Sequence, residues 1–156
     1  MSYVVRGLDP ALFKRLFHLS DEDLAAQGIV RMLVSKKPSF PCRVTLEDRD
    51  IGETVLLLNH VSHEVTNPYR TAHAIFVGEA DQAAEFIDEV PPVFEARILS
   101  LRGFDANGMM IDALVAQPGE AEKGIRRLFE NPAIETLHAH NAARGCYSAK
   151  IERYGL

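Results

Sequence analysis

The sequence has little cysteine, no long apolar run and no basic tract, and each shortage excludes a class of protein. Its two cysteines, Cys42 and Cys146, lack the CxxC spacing of redox motifs and zinc ribbons. We therefore expect two reduced thiols and no disulfide. The longest basic run, Lys36 and Lys37, is too short to follow a phosphate backbone, and the net charge of −5 opposes binding to nucleic acid.

Membrane and export signals are missing as well. No segment approaches the roughly 20 apolar residues of a membrane-spanning helix, and the N-terminus lacks the apolar core of a secretory signal. We therefore predict a soluble, cytoplasmic protein that binds neither membranes nor nucleic acid. The sequence identifies no cofactor and leaves open whether the chain forms homo-oligomers. Its 156 residues, 47% hydrophobic and 25% charged, predict a single domain over residues 1–156.

Apolar spacing predicts more strands than helices. Helices are expected where proline or a capping residue begins an apolar face, after Asp9, Ser20, Pro91 and Pro118. The predicted strands are 3–5, 29–34, 42–46, 54–59, 72–77, 98–104, 109–115, 134–140 and 147–153, and the last two are expected to be antiparallel partners. Because strands often follow one another directly, we predict an α+β fold with a largely antiparallel or mixed sheet and about three to four helices.

Three local predictions concern the regions around the candidate sites. Cys42, Val44 and Leu46 alternate with polar residues, which predicts a half-buried strand with Cys42 in the core. Residues 60–70 turn polar and are predicted to form a loop. Strands 98–104 and 109–115 should form a hairpin, with Gly108 supplying a positive φ in its turn.

A pair of histidines on one predicted strand is the first candidate site. Side chains two residues apart on a strand share a face, so His138 and His140 point the same way. Two such imidazoles can bind a divalent metal if a third ligand joins them, and His60, His63 and His73 are candidates. The spacing matches no established zinc motif. A metal-free polar pocket and ordinary structural histidines therefore remain alternatives.

Cys146 is the second candidate. It follows Gly145 at a predicted turn, beside Arg144 and close to Asn141. A neighbouring cation favours the thiolate form of cysteine, and a neighbouring imidazole can act as its base. Cys146 is therefore a candidate nucleophile, and a small buried apolar role is its alternative.

The third candidate is a loop that enters a strand. Tyr69 and Arg70 lie where ligand contacts are common, and the Arg70 guanidinium could hold a carboxylate or phosphate. A surface salt bridge is the alternative for Arg70. His73 shares a strand face with Ile75 and Val77, so a hydrogen-bonded core histidine is the alternative there.

Several separated segments resemble one family in the same order. They are residues 41–44 (PCRV), 56–59 (LLLN), 68–77 (PYRTAHAIFV), 104–110 (FDANGMM) and 138–147 (HAHNAARGCY). These segments resemble the bacterial family catalogued as domain of unknown function 1203, and the opening Gly-Leu-Asp at 7–9 also fits. The resemblance implies a compact, stand-alone cytoplasmic protein, and it carries no activity, substrate or cofactor over to these positions.

Two functions follow from these candidates. The first is a small-molecule enzyme with histidines as acid and base, arginine as anion clamp and cysteine as possible nucleophile. Its predicted catalytic residues are His138, His140, Cys146 and His73, and its predicted ligand-binding residues are Tyr69, Arg70, Asn141 and Arg144. This reading requires the His73 strand to approach the His138 strand. The alternative is a non-catalytic small-ligand-binding or interaction module.

Overall fold

Every strand pairing within residues 1–155, which the computed structural model describes, is antiparallel. The strands are β1 (Ser2–Arg6), β2 (Val30–Leu33), β3 (Thr54–His63), β4 (Thr71–Gly78), β5 (Glu85–Ile87), β6 (Leu99–Phe104), β7 (Met110–Ala116), β8 (Thr136–Asn141) and β9 (Tyr147–Tyr154). The α-helices are α1 (Asp21–Ala26), α2 (Pro92–Glu95) and α3 (Ala121–Phe129), and Pro10–Leu12 and Lys14–His18 form short 3-10 helices.

Six strands form the large sheet, in the order β5-β1-β9-β8-β6-β7. One of its faces is covered by α3, which forms because Ala121, Ile125 and Leu128 recur at helical spacing and are buried. They join Leu101 and Leu137 in what we call the helix-side core. Burying each such leucine or isoleucine contributes about 2 kcal/mol, so apolar packing holds this face.

The other face of the large sheet has a different character. Side chains alternate along a strand, so Leu137 and Ala139 enter the helix-side core while His138 and His140 point to the opposite face. The neighbouring β6 places Arg102 directly across from His138. Polar side chains therefore line the face that meets the small sheet.

The small sheet contains β2, β3 and β4 in that order. On its inner face, Leu56 pairs with Val77 and Leu58 with Ile75. The 3-10 helices and α1 cover these four residues, which we call the apolar half, with side chains that include Leu24. Further along the same two strands His60 pairs with His73.

The strands of the hairpins follow the sequence predictions closely. Strands β6 and β7 pair, and their turn contains Gly108 at a φ of 76°. The Asp105 carboxylate closes this turn by accepting hydrogen bonds from the backbone N–H groups of Asn107 and Met109. Strands β8 and β9 are antiparallel neighbours as predicted. The prediction of largely antiparallel pairing is thus confirmed, although the protein is mostly β and has two sheets rather than one.

Two local predictions near the candidate sites are wrong. Residues 42–46 form a turn rather than a strand, with Leu46 at a φ of 56° and only an isolated bridge between Pro41 and Asp48. The predicted loop at 60–70 begins later, because β3 continues to His63. Both differences arise from packing between the two sheets, which alternation within one segment does not encode.

Helix predictions are less accurate in length than in position. The segment after Asp9 forms two 3-10 helices instead of one continuous helix, although the Asp9 carboxylate caps the first turn as expected. The helix predicted from Pro118 begins at Ala121 and ends at Phe129, before Asn131. No helix within residues 1–155 is long and apolar enough to cross a membrane.

Candidate functional site

Five histidines meet where the ends of β3 and β4 pack on β8. His73 lies against His140, with ring centroids 5.0 Å apart, and His63 lies edge-on to His138 at 5.1 Å. His60 pairs with His73 across the small sheet. The strands that carry His73 and His138 therefore approach each other, as the enzyme hypothesis requires. We call these five residues the histidine cluster.

Aromatic rings hold the cluster in place. Tyr147, at the start of β9, contacts both His138 and His140, with centroid distances of 5.5 and 5.9 Å. Phe104 packs on His63 at 4.1 Å, and the His63 Nε2–H donates to the Gly108 carbonyl at 2.8 Å. The rings are thus fixed by packing on several sides, which suits a preorganised site.

Three imidazole nitrogens in the cluster are buried without a hydrogen-bond partner in residues 1–155. They are Nδ1 of His73, Nδ1 of His138 and Nε2 of His140. The Nδ1–H of His140 donates to the Gly145 carbonyl at 2.9 Å, so in the neutral ring Nε2 carries a lone pair. Buried polar atoms normally have partners, so these three nitrogens are exceptions among the described residues.

The two central histidines are neutral near physiological pH. Burial, with help from neighbouring cations, lowers the pKa of His138 to about 3 and that of His140 to about 4. Burial also lowers the pKa values of His60 and His73. Neutral imidazoles accept as well as donate hydrogen bonds, so the cluster can pair with both kinds of ligand group.

A half-buried arginine lies beside the cluster. Arg102 of β6 is directly opposite His138, and Ser100 is directly opposite His140. The Arg102 Nε–H donates to Ser100 Oγ at 3.2 Å, which draws the side chain along the strand toward His140. Burial lowers the pKa of Arg102, and no carboxylate in the described part of the chain forms an ion pair with it.

A second arginine lies fully inside the protein, next to Cys146. Arg43 is only 2% exposed. It donates to the carbonyls of Tyr147 and Pro41 at 2.8 and 2.7 Å, and its third hydrogen bond reaches Cys146 Sγ at 3.2 Å. The Asn141 side-chain N–H also points at this sulfur, at 3.5 Å. Two donors, one of them charged, therefore converge on a partly exposed thiol.

Within residues 1–155, Arg43 forms no ion pair with a carboxylate. Asp48 is held by Arg97 through two hydrogen bonds of 2.6 and 2.9 Å. Burial lowers the pKa of Arg43, while Cys146 opposes this shift and Arg97 adds to it. The sulfur of Cys146 is therefore the group that can balance the buried guanidinium.

The remaining predicted ligand residues lie at the margin or on the surface. Tyr69 is partly exposed and its ring lies 6.5 Å from that of Phe104. Arg70 and Arg144 are exposed and contribute no hydrogen bond to the cluster within the described residues. The structure thus brings His73, His138 and His140 together, places Asn141 on the thiol, and leaves both exposed arginines outside.

The described residues do not provide a complete set of metal ligands. Within residues 1–155, no three His, Cys, Asp or Glu side chains are arranged to hold a metal ion. The His138 and His140 pair therefore lacks the third ligand that catalytic zinc sites use. The positive charge of Arg102 beside these rings also disfavours a divalent cation.

A wide groove elsewhere on the surface carries no comparable chemistry. It encloses about 800 Å³ between β7 and α3. Four of its charged side chains pair with each other, Arg126 with Glu122 and Arg127 with Glu130. Exposed pairs of this kind contribute little, and the groove holds neither histidine nor cysteine.

Comparison with known proteins bears on the same region. The family model described as protein of unknown function (DUF1203) matches residues 39–153. The chain belongs to the DUF1203 family. No curated protein and no solved structure matches it. The matched DUF1203 region contains the histidine cluster, Arg43, Arg102 and Cys146, and the family name assigns none of them a role.

Sequence reasoning missed two residues of this DUF1203 site. Arg43 falls within an alternating pattern that predicts a strand, and only the turn at 42–46 buries it. Arg102 lies in a correctly predicted strand, but its place beside His138 depends on the pairing of β6 with β8. The resemblance of segment 41–44 to the family was the only sequence signal near Arg43.

Proposed function

We propose that this DUF1203 chain is a small-molecule enzyme whose nucleophile is the thiolate of Cys146. The observation that carries this proposal is the buried Arg43 guanidinium, which donates a hydrogen bond to Cys146 Sγ at 3.2 Å. A buried cation needs a compensating negative group. A thiolate accepts a charge-assisted hydrogen bond more strongly than a neutral thiol does.

The access and setting of the sulfur support this role. Cys146 is partly exposed, whereas Cys42 is fully buried, and both are free thiols. Gly145, at a φ of 77°, has open space around its α-carbon, so a small molecule can approach from that side. Free thiols also suit a reducing compartment such as the cytoplasm, where we place the protein.

The other predicted site residues would bind and orient the substrate. His140 holds the Gly145 carbonyl and thereby positions the turn before Cys146, while its Nε2 is available as an acceptor. His73 and His138 would supply further neutral acid or base groups next to it. Asn141 would hold the sulfur, and Tyr69, Arg70 and Arg144 would meet the substrate at the rim.

A non-catalytic binding module is the second candidate. The unpaired Arg102 beside buried histidine nitrogens favours it, because these groups can hold an anion without any nucleophile. In that case replacing Cys146 would leave ligand binding intact. An enzyme of the proposed kind would lose its covalent step in the same variant.

The test measures alkylation of each cysteine by iodoacetamide, followed by peptide mass spectrometry. At near-neutral pH we expect Cys146 in the folded protein to react at least about tenfold faster than the same residue in denaturant, where Arg43 no longer holds it. Cys42 is the internal control and should stay unmodified until the chain unfolds. Folded Cys146 reacting no faster than unfolded Cys146 would contradict the proposal.

Two variants test whether the reactivity of Cys146 comes from its hydrogen-bond donors or only from its exposure to solvent. Asn141→Ala removes the weaker donor and should slow alkylation of Cys146 by a few-fold. Arg43→Lys keeps a positive charge but loses the planar fork, and it should slow alkylation further. Melting curves check that each variant folds. Equal rates in the wild type and both folded variants would exclude a role for these donors.

A further inference from the structure

The polar face of the large sheet carries a row of positive side chains. Across neighbouring strands, Arg102 lies opposite His138, His138 opposite Lys150, and Lys150 opposite Arg6. Lys150 and Arg6 both have carboxylate partners. Lys150 contacts Glu152 at 2.7 Å, and Arg6 contacts both Glu152 and Glu85.

Arg102 is the exception in this row. Its side chain makes one hydrogen bond, to Ser100 Oγ, and has no carboxylate partner in residues 1–155. Burial and, after it, the charge of Arg102 lower the pKa of His73 in the small sheet, and His73 in turn packs on His140. A half-buried guanidinium with most of its donors unused is a typical receptor for a carboxylate or phosphate group.

The neighbouring groups add a second requirement. Ser100 faces His140 across the sheet, so the Arg102 side chain that bonds Ser100 lies next to the His140 ring. Because Nδ1 of His140 donates to Gly145, Nε2 carries a lone pair. This nitrogen is buried, so an anion reaches it only when the neighbouring side chains move apart. The buried Nδ1 of His73 is close by and also lacks a partner in the described chain.

We propose that Arg102, Ser100, His140 and His73 bind a small oxyanion that carries its own O–H group. The guanidinium would hold the anionic oxygens, and the O–H would donate to the lone pair at His140 Nε2. Phosphate monoesters in their protonated form and hydroxy acids share this chemistry. The site shares His140 and His73 with the proposed enzyme pocket but does not use the Cys146 thiolate, so an unreactive Cys146 would leave it standing.

Inorganic phosphate and sulfate provide matched probes. They have the same shape, but near neutral pH phosphate keeps at least one O–H and sulfate keeps none. Sulfate carries as much or more negative charge, so electrostatic attraction alone would favour it. A buried lone pair facing an unprotonated oxygen repels it, and we therefore expect phosphate to bind at least about tenfold more tightly than sulfate.

The experiment measures both anions by calorimetry and by thermal melting at constant ionic strength. Arg102→Gln should weaken phosphate binding by about tenfold or more, and Ser100→Ala by about fivefold. Arg127→Gln is the control, since it removes the same charge from an exposed arginine on α3. Cys146→Ser should bind phosphate as the wild type does, which separates this site from the thiol.

Three results would overturn the inference. The first is that neither anion binds the wild-type protein at about 10 mM, a concentration at which even very weak sites show. The second is equal binding of phosphate and sulfate, which would show that the site does not require an O–H donor on the anion. The third is phosphate binding by the folded Arg102→Gln variant equal to that of Arg127→Gln, which would place the anion elsewhere.

Discussion

The inner face of the small sheet has two halves that share the same strands. In the apolar half, Leu56, Leu58, Ile75 and Val77 pair across β3 and β4 and are buried by aliphatic and aromatic neighbours. One pair further along, His60 and His73 continue the same face. There the neighbours include His140 and Tyr147 of the large sheet.

The two halves differ in how completely their polar atoms are satisfied. The side chains of the apolar half contain no polar atoms, so burying them makes the full hydrophobic contribution to stability. The other half, which we call the histidine half, contains one imidazole nitrogen, Nδ1 of His73, without a partner in the described chain, and burying it costs free energy. A face that gives up stability at one end is typical of a binding site, where groups are kept ready for a ligand.

The largest expected effect contrasts one residue from each half. Leu56→Ala should lower the free energy of unfolding by about 3 kcal/mol, because it removes a fully buried side chain from the apolar half. His73→Ala should lower it by less than about 1 kcal/mol, since that ring is only half-buried. Urea denaturation of both variants measures the difference. Equal losses would mean that the histidine half supports the fold as strongly as the apolar half.

The second prediction concerns pH. In the unfolded chain histidine titrates near pH 6.5, whereas in the fold burial holds the pKa of His138 at about 3 and that of His140 at about 4. Between these values the unfolded state binds more protons, so stability falls as pH drops from about 6.5 toward 4. Near pH 5 the two groups together predict a loss of roughly 2 kcal/mol per pH unit.

His138→Phe is the variant that checks this assignment. Phenylalanine keeps the ring contacts with Phe104 and Tyr147 and removes one titrating group. The dependence of the unfolding free energy on pH between about 6.5 and 4 should then fall by about 1 kcal/mol per pH unit, which is the share of one histidine. An unchanged slope in the folded variant would show that other groups cause the acid sensitivity.

The smallest effect comes from converting one half into the other. The double variant His60→Leu and His73→Ile extends the aliphatic pairing of β3 and β4 and removes an unpartnered nitrogen. We expect the free energy of unfolding to rise by about 1 kcal/mol. Phosphate binding should weaken at the same time, because His73 is lost. A destabilised double variant would show that the imidazoles contribute more by packing than they cost by burial.

Much of the sheet structure could be predicted from local patterns. Strand β4 follows from the apolar run after Arg70, and the β6–β7 hairpin follows from two runs joined by a turn with Gly108. The partnership of β8 with β9 was also predicted. These features depend on short-range alternation and turn chemistry, which a single sequence contains.

The assembly of the site could not be predicted in the same way. His60 and His63 looked like loop residues because they are polar, and only packing on β8 gives them a reason to continue β3. Arg43 is buried because its partners Tyr147 and Cys146 come from a strand about a hundred positions later. Contacts over such separations leave no trace in the local pattern of one sequence.

The turn at residues 42–46 has a consequence for how the protein folds. Within a few positions it places Val44 in the core of the small sheet and Leu46 in the helix-side core, while Arg43 reaches the sulfur of Cys146. One short segment thus joins two cores that lie on different sheets. The contact of Arg43 with the Cys146 sulfur therefore requires both cores, and the loss of either core would separate the guanidinium from the sulfur.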